Sequence, residues 1–239
     1  GRKPLKLNRA YSGMSTLEES QNRYDQMRKT IEYLNEMPLV QLMIDDIEAD
    51  DVIAYICRMP SLQEDIKIIV SMDKDFYQLC DDKTMIYSPV KDEFLNKKRI
   101  IEQFDIHPNN FSLARAIDGD KSDNLEGIKG AGLKTVAKKF NFLSEEKSYT
   151  LDDLFSHCKR DDTGLKLYKN ILSEKNKVEL NYKLMQLYSP HISVKSSQHI
   201  KTTVEKFKPS FNRTEVIKMM TLDGINEFNW NSLFQKFRS

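Results

Sequence analysis

The sequence has few cysteines, no excess of either charge and no long apolar segment. Its three cysteines, Cys57, Cys80 and Cys158, are odd in number and widely spaced among 239 residues. This argues against a disulfide framework or a zinc site and is typical of a reducing cytoplasm, where we expect the protein to act. The net charge is +1, so only local segregation of charge could indicate a nucleic-acid partner. No apolar run approaches the roughly 18 residues of a membrane span.

What the sequence does have is the composition and patterning of a folded α/β protein. Apolar residues make up 39% of the chain, enough for one sizeable core and too many for a disordered protein. The run IKIIV is typical of a buried parallel strand, and MIYSPV predicts another strand. Helices are predicted from Leu17 to Leu34 and over KKRIIEQF. This alternation predicts an α/β fold with a mainly parallel central sheet.

The pattern changes near residue 109, which predicts two parts. Residues 1–108 are predicted to form the α/β core, and residues 109–239 a helical half without a strong strand signal until near the C-terminus. The tail is expected to close that half, because its apolar residues recur at roughly helical spacing: Trp230, Leu233, Phe234 and Phe237. The alternative is an exposed peptide that docks on a sliding clamp.

Three short segments contain seven acids: Glu48, Asp50 and Asp51; Asp73 and Asp75; and Asp120 and Asp123. The first segment lies at a predicted helix start, which Asp50 or Asp51 could cap, and the second directly follows a predicted strand. Clustered carboxylates repel one another unless a cation neutralises them. Such oxygen ligands suit Mg²⁺ or Mn²⁺, and several can hold two ions about 4 Å apart for phosphodiester cleavage. The alternative is that these acids are only helix caps and solvated loop residues.

A glycine-rich turn, from Gly127 to Thr135, is the second notable feature. Such a turn between helices can present backbone N–H groups to a phosphate. The lysines that accompany it, with no acid between them, are Lys129, Lys134, Lys138 and Lys139. They could bind a phosphate backbone without reading bases. The alternative is a packing corner with an ordinary basic surface. The spacing does not match a Walker loop, and no strand precedes it as in a dinucleotide fingerprint.

In combination, the segments EADD, SMDKDFYQL and GDKSDNLEGIKGAGLKTV resemble the 5′-nuclease or flap endonuclease superfamily. The pattern is similar to the 5′-nuclease domains of bacterial DNA polymerase I and to bacteriophage 5′-exonucleases, including the phage ribonuclease H. The resemblance runs almost continuously over residues 41–140 and is weaker towards both ends. It implies a PIN-like nuclease core followed by a helix–hairpin–helix half.

The resemblance also implies roles for individual residues. Glu48, Asp50 and Asp51 would mainly supply a first metal site, Asp73 and Asp75 would be shared, and Asp120 and Asp123 would belong to a second. Lys6 and Arg9 match residues of the helical arch that act on the scissile phosphate, and they are the predicted catalytic pair. The turn would hold duplex DNA, and its carbonyls could bind K⁺; its predicted DNA-binding residues are Gly127, Lys129, Gly130, Gly132, Lys134, Thr135 and Lys138.

The function implied by the resemblance is that of a 5′–3′ exonuclease or flap endonuclease that depends on two Mg²⁺ or Mn²⁺ ions. It would cleave branched DNA or RNA–DNA junctions during primer removal and flap processing. We expect a monomer of bacteriophage origin, with a single-stranded-DNA-binding protein or a sliding clamp as candidate partners. One alternative is a catalytically incomplete DNA-binding protein of the same fold. Another is a PIN-type ribonuclease, which the glycine-rich turn disfavours.

The sequence departs from the family pattern upstream of Lys6. The family has two aspartates there, whereas only five residues precede Lys6 and none is acidic. We therefore expect the family's opening βαβ unit to be missing, as in a partial sequence, an expression fragment or a protein whose N-terminal piece is separately encoded. Fewer carboxylates imply weak Mg²⁺ binding and poor flap cleavage by this chain alone, which an upstream segment would restore.

Overall fold

The computed structural model describes residues 17–188, 192–225, 227 and 229–235. The strands are β1 (Lys67–Val70), β2 (Thr84–Ser88), β3 (Glu93–Leu95), β4 (Gly119–Asp120) and β5 (Leu125–Glu126). The helices are α1 (Leu17–Asn35), α2 (Ala49–Cys57), α3 (Lys97–Phe104), α4 (Pro108–Asp118), α5 (Leu133–Lys139), α6 (Leu151–Arg160), α7 (Lys166–Ser173), α8 (Lys175–Met185), α9 (Val194–Lys206), α10 (Arg213–Leu222) and α11 (Trp230–Gln235). Short 3₁₀ helices occur at Pro60–Leu62, Lys74–Leu79 and Asn141–Ser144.

The chain divides into two compact units. Among the described residues, the first unit contains residues 44–197 and the second combines residues 17–43 with residues 198–235. None of the helices in the described ranges combines the length and the apolar character needed to cross a bilayer.

The central sheet of the first unit is built from short apolar strands. β1 runs parallel to β2, with Ile69 opposite Ile86, and β2 runs antiparallel to β3, with Ile86 opposite Leu95. These three residues are buried, because residues directly opposite on paired strands share one face of a sheet. The predicted α/β fold is confirmed, and both predicted strands form. In the described residues the main sheet has one parallel and one antiparallel pair.

Helix α4 lies at the centre of the first unit's core. Its residues Phe111, Leu113 and Ile117 are almost completely buried. One cluster of buried apolar residues extends from Ile69 in β1 through α4 to Leu154 in α6. The core is therefore continuous across the boundary predicted between the α/β and helical halves. The separate roles assigned to those halves stay a prediction.

In the second unit, polar contacts join α1 to a residue that follows α10. Lys29 Nζ lies 2.7 Å from Asp223 Oδ1, and the Tyr33 hydroxyl donates a hydrogen bond to Asp223 Oδ2 at 2.6 Å. The helix predicted from Leu17 to Leu34 is confirmed as α1.

Aromatic contacts attach the tail to the rest of the second unit. The Trp230 ring stacks on Phe234 at 5.9 Å, and Phe234 meets the edge of Phe211 at 5.3 Å. Phe234 thus links the tail to Phe211, and the prediction that the tail closes the helical half stays a prediction. The Leu233 side chain and Phe237 lie outside the described part of the chain.

A buried asparagine at the start of α4 secures the loop that follows the 3₁₀ helix Asn141–Ser144. The Asn110 Nδ2 atom lies 2.9–3.2 Å from the carbonyl oxygens of Leu143, Glu145 and Lys147. Its Oδ1 accepts a hydrogen bond from the backbone N–H of Tyr149 at 2.9 Å. This one side chain therefore contacts four backbone groups between residues 143 and 149.

Replacing Asn110 with Ala is expected to lower the free energy of unfolding by about 3 kcal/mol, because buried polar groups lose their partners. Urea unfolding measures the change. The matched control is Asn109→Ala, since Asn109 is exposed and its side-chain amide donates to the Glu146 carbonyl at 2.7 Å. We expect that variant to lose less than about 1 kcal/mol. Equal losses in the two variants would contradict the assignment.

Candidate functional site

The end of β1 leads directly into two of the predicted acids. Asp73 caps the 3₁₀ helix Lys74–Leu79, because its Oδ1 accepts a hydrogen bond from the Asp75 backbone N–H at 2.8 Å. Asp73 is exposed, whereas Asp75 is buried. The turn thus leaves one carboxylate in solvent and buries the other at the carboxyl end of a parallel strand, where open α/β sheets carry their sites.

The second group of acids lies at the start of α2. The helix begins at Ala49 with Glu48 in the capping position, and Glu48 makes no capping hydrogen bond through its side chain. The expectation that Asp50 or Asp51 caps this helix is therefore wrong, because both lie inside its first turn. One ligand oxygen from each of Glu48, Asp50 and Asp51 lies within 4.8 Å of the others. The positions of Asp50 and Asp51 in the first turn also place negative charge at the positive end of the helix dipole.

Acids from all three segments meet along one cleft. It is lined by side chains from the start of α2, the end of β1 and the loop between β4 and β5: Glu48, Asp50, Asp73, Asp75 and Asp123. Phe76, Leu125 and Leu184 form part of its apolar wall. Carboxylates gathered beside an apolar wall repel one another and favour a cation. Their chemistry therefore suits a hard divalent ion that takes oxygen ligands.

Asp120 lies on the short hairpin formed by β4 and β5. Its Oδ1 accepts hydrogen bonds from the backbone N–H and the hydroxyl of Ser122, at 2.8 and 2.5 Å. Together with Asp73 it lines an adjoining cleft, so Asp73 borders both clefts. The sequence does not predict these strands, because strands of two residues are too short to show a periodicity.

Sequence reasoning missed Arg115, a buried cation among these acids. Its Nε lies 3.0 Å from Asp75 Oδ1, and its Nη2 donates to Asp120. Its Nη1 donates to the Gly119 carbonyl at 2.9 Å and lies 3.5 Å from Asp118 Oδ2. A signal was present, because the run FSLARAI places one charge within an apolar helix. A buried arginine needs acidic partners.

Burial and ion pairing act in opposite directions on the two acids that contact Arg115. Desolvation raises the pKa of Asp75 to about 6, although the guanidinium opposes this increase. Burial alone would also raise the pKa of Asp120. There, hydrogen bonds from Ser122 and the charge of Arg115 outweigh burial and lower the pKa. Of these two acids, Asp75 is therefore the one whose ionised form a nearby cation would stabilise more.

The glycine-rich turn follows the hairpin and leads into α5. Lys129, Lys134 and Lys138 are exposed, whereas Ile128 and Val136 are buried. The apolar residues of the turn thus join the core and the lysines remain in solvent. Thr135 is partly buried, and its backbone N–H donates to the Gly132 carbonyl at 2.7 Å.

The three glycines of the turn have different structural constraints. A Cβ atom on Gly127 would lie 1.9 Å from the Asp118 carbonyl oxygen, which forbids any side chain there. Gly130 has φ +81°, in the left-handed region that favours glycine. A Cβ atom on Gly132 would lie 3.8 Å from Asp118 Oδ1, an ordinary contact distance. Packing therefore requires Gly127 and backbone conformation favours Gly130, whereas neither requires Gly132.

The predicted catalytic pair, Lys6 and Arg9, lies outside the described residues. Their assignment stays a prediction.

Comparison with known sequences identifies relatives among 5′-nucleases. Residues 14–105 match the family described as 5′-3′ exonuclease, N-terminal resolvase-like domain. A 5′-3′ exonuclease of Aquifex aeolicus is 34% identical over 169 residues, which cover 67% of this chain and 52% of that protein. A flap endonuclease Xni of Shewanella is 29% identical over 187 residues, which cover 78% of this chain and 64% of that protein. The chain thus spans between about half and two thirds of the length of these relatives.

Solved structures of similar fold include the bacteriophage T5 5′-exonuclease with bound zinc. That protein is 20% identical, with a TM-score of 0.65 over 81% of this chain and 73% of the other. The T5 D15 flap endonuclease in complex with DNA and metal ions is 18% identical, with a TM-score of 0.66 over 82% of this chain and 73% of the other. These similarities confirm the fold predicted from the sequence.

Proposed function

Because this chain belongs to the 5′-nuclease or flap endonuclease superfamily, we propose that it carries the activity of a divalent-metal-dependent 5′-nuclease. Its substrates would be branched or flapped DNA and RNA–DNA junctions, cleaved during primer removal and flap processing. The observation that carries this proposal is the single cleft on which carboxylates from three separate segments meet. Structural helix caps or solvated loop acids have no reason to share one location, whereas ligands of a common ion must do so.

Under this proposal the acids would hold two ions of the Mg²⁺ or Mn²⁺ type. Glu48, Asp50 and Asp51 would hold the first ion, and Asp120 and Asp123 the second. Asp73 and Asp75, which follow β1, would be shared between the two ions. When bound, such ions lower the pKa of a water molecule and stabilise the departing 3′ oxygen.

The remaining parts of the chain would position the nucleic acid. Lys129, Lys134 and Lys138 are exposed and would bind duplex phosphates irrespective of base sequence. The carbonyls of the turn would accept K⁺. Lys6 and Arg9 would add positive charge at the scissile phosphate. We also propose that the protein acts in the cytoplasm as a monomer, together with a single-stranded-DNA-binding protein or a sliding clamp.

A cleavage assay tests the proposed function. A 5′-labelled flap duplex and a blunt duplex of the same sequence are incubated with the chain and Mn²⁺. We expect cleavage near the flap junction that EDTA abolishes, and at most slow cleavage of the blunt duplex. Metal-dependent cleavage of both substrates at equal rates would contradict a junction-specific nuclease. Duplex binding without cleavage would support the incomplete DNA-binding protein.

Duplex binding is expected to depend on the lysines of the glycine-rich turn. Replacing Lys134 and Lys138 with Ala should weaken binding equally for all sequences, and should lower the salt dependence of log K by about 0.9 for each phosphate that is no longer bound. Fluorescence anisotropy across a salt series measures both quantities. The control is Lys91→Ala with Lys98→Ala, since these exposed lysines pair with Glu93 and Glu102. A change in sequence preference with an unchanged salt slope would refute the proposal.

Metal binding is expected to weaken in acid. Ligation requires the ionised carboxylate, and the pKa of Asp75 is raised to about 6. Below that pH, Asp75 must lose its proton before the ion binds, so Mn²⁺ affinity should fall by up to about tenfold for each unit that the pH is lowered. Above that pH, the affinity should no longer change with pH. Electron paramagnetic resonance of free Mn²⁺ measures the affinity. An Asp75→Asn variant should lack the step near pH 6, and its persistence there would assign it to another group.

A further inference from the structure

One buried guanidinium joins acids that belong to two different segments of the proposed metal centre. Arg115 contacts Asp75 through Nε and Asp120 through Nη2. Its side chain is only 6% exposed, and it projects from α4, whose neighbouring residues lie in the core. The hydrogen bond from Nη1 to the Gly119 carbonyl, at 2.9 Å, further fixes the plane of the guanidinium.

We propose that Arg115 is a positioning residue of this metal centre. It holds the carboxylates of Asp75 and Asp120 in the orientations in which they meet a divalent ion. This inference rests on the proposed function. An ionised carboxylate offers about four lone-pair positions, so both acids can ligate an ion while they remain bonded to Arg115.

The geometry accounts for this role step by step. Asp75 follows a strand and Asp120 lies on a hairpin, so no backbone hydrogen bond of the β4–β5 ladder fixes one relative to the other. The ladder positions Asp120, and Ser122 orients its Oδ1, whereas Asp75 lies in the 3₁₀ helix that follows β1. Two like charges placed close together would turn away from one another. The planar fork of an arginine presents its N–H groups to both carboxylates in fixed directions, which the compact, freely rotating ammonium of a lysine does not do.

A purely electrostatic role and a positioning role predict opposite effects on metal binding. If Arg115 acted only as a positive charge beside the ion, its removal would strengthen Mn²⁺ binding. If it positions the ligands, its removal weakens binding. Residues that orient metal ligands typically contribute about 10–100-fold to metal affinity. The sign of the change therefore separates the two roles.

The test measures the Mn²⁺ dissociation constant of the whole chain by electron paramagnetic resonance. The variants are Arg115→Lys, which keeps the charge and loses the fork, and Arg115→Met, which loses both. We expect Mn²⁺ binding to weaken about tenfold in Arg115→Lys and further in Arg115→Met. Arg99→Lys is the matched control, because Arg99 is exposed and lies 4.0 Å from Glu93; its affinity should not change.

Unchanged or tighter Mn²⁺ binding in Arg115→Lys would overturn the inference. Circular dichroism establishes that each variant is folded, and Arg115→Lys decides the question if Arg115→Met does not fold. An Asp75→Asn variant separates this failure from that of the proposed function. If Asp75→Asn binds Mn²⁺ as the unmodified chain does, the proposed metal centre is wrong, and so is the role of Arg115 in it. If Mn²⁺ binding depends on Asp75 but is insensitive to Arg115, only the positioning role is wrong.

Discussion

Replacing Asp75 with Asn is expected to weaken Mn²⁺ binding at neutral pH by at least about a hundredfold and to abolish the flap cleavage of the chain. A catalytic metal supplies several kcal/mol of transition-state stabilisation, and each 1.4 kcal/mol corresponds to about tenfold in rate. Asn keeps the shape of the side chain but loses its charge. It also leaves Arg115 without the carboxylate that lies 3.0 Å from its Nε. Single-turnover cleavage and Mn²⁺ titration measure the two effects.

The control for this variant is Asp65→Asn, which removes an exposed charge from the loop before β1. Its metal affinity and its cleavage rate should equal those of the unmodified chain. Circular dichroism at the assay temperature establishes that Asp75→Asn is folded. If folded Asp75→Asn retained Mn²⁺ binding and cleavage, Asp75 would not be a ligand, and the strand-end site would be wrong.

Replacing Gly127 with Ala is expected to be the most destabilising single change in the glycine-rich turn. The new Cβ would lie 1.9 Å from the Asp118 carbonyl oxygen and 2.8 Å from that of Ile117. Both are backbone atoms at the end of α4, so the hairpin that carries Asp120 must shift. We expect the free energy of unfolding to fall by about 3 kcal/mol, at the upper end of overpacking effects. Urea unfolding measures this loss.

Gly132→Ala is the matched comparison, since its Cβ would meet Asp118 Oδ1 at 3.8 Å. It should unfold within about 1 kcal/mol of the unmodified chain, because no backbone atom obstructs it. Any loss of duplex binding in Gly132→Ala would then report the approach of a phosphate rather than a folding defect. Similar stability of the two variants would show that the turn packs differently from this structure.

The acids at the end of β1 could be predicted from the sequence because local patterns determine their position. A short β-branched run followed directly by SMDKD places Asp73 and Asp75 at a strand end in almost any α/β arrangement. The surroundings of the strand could not be predicted in the same way. The run IKIIV is typical of a strand buried on both faces, yet Ile68 and Val70 are exposed in the described residues. Burial depends on which elements cover a strand, and composition does not determine that.

Arg115 and the β4–β5 hairpin mark the other limit of prediction from sequence. A charge within an apolar helix indicates a buried partner, but the partner's identity depends on tertiary contacts between distant segments. The hairpin has two residues in each strand, so its pairing depends on the turn and on close packing at Gly119 and Gly127 rather than on a periodic pattern. The resemblance predicted that Asp120 and Asp123 act beside Asp75. The residues alone did not predict how they are held there.

The central claim is that three segments distant in sequence form one metal centre, and metal-directed backbone cleavage tests it most directly. Fe²⁺ takes similar carboxylate ligands, and with ascorbate and peroxide it cuts the chain wherever it is bound. The account predicts cuts near Asp50, Asp75 and Asp123 in the same sample, all suppressed together by Mn²⁺ and all lost in Asp75→Asn. Cuts confined to one of these segments, or cuts that Mn²⁺ suppresses independently, would contradict a common centre.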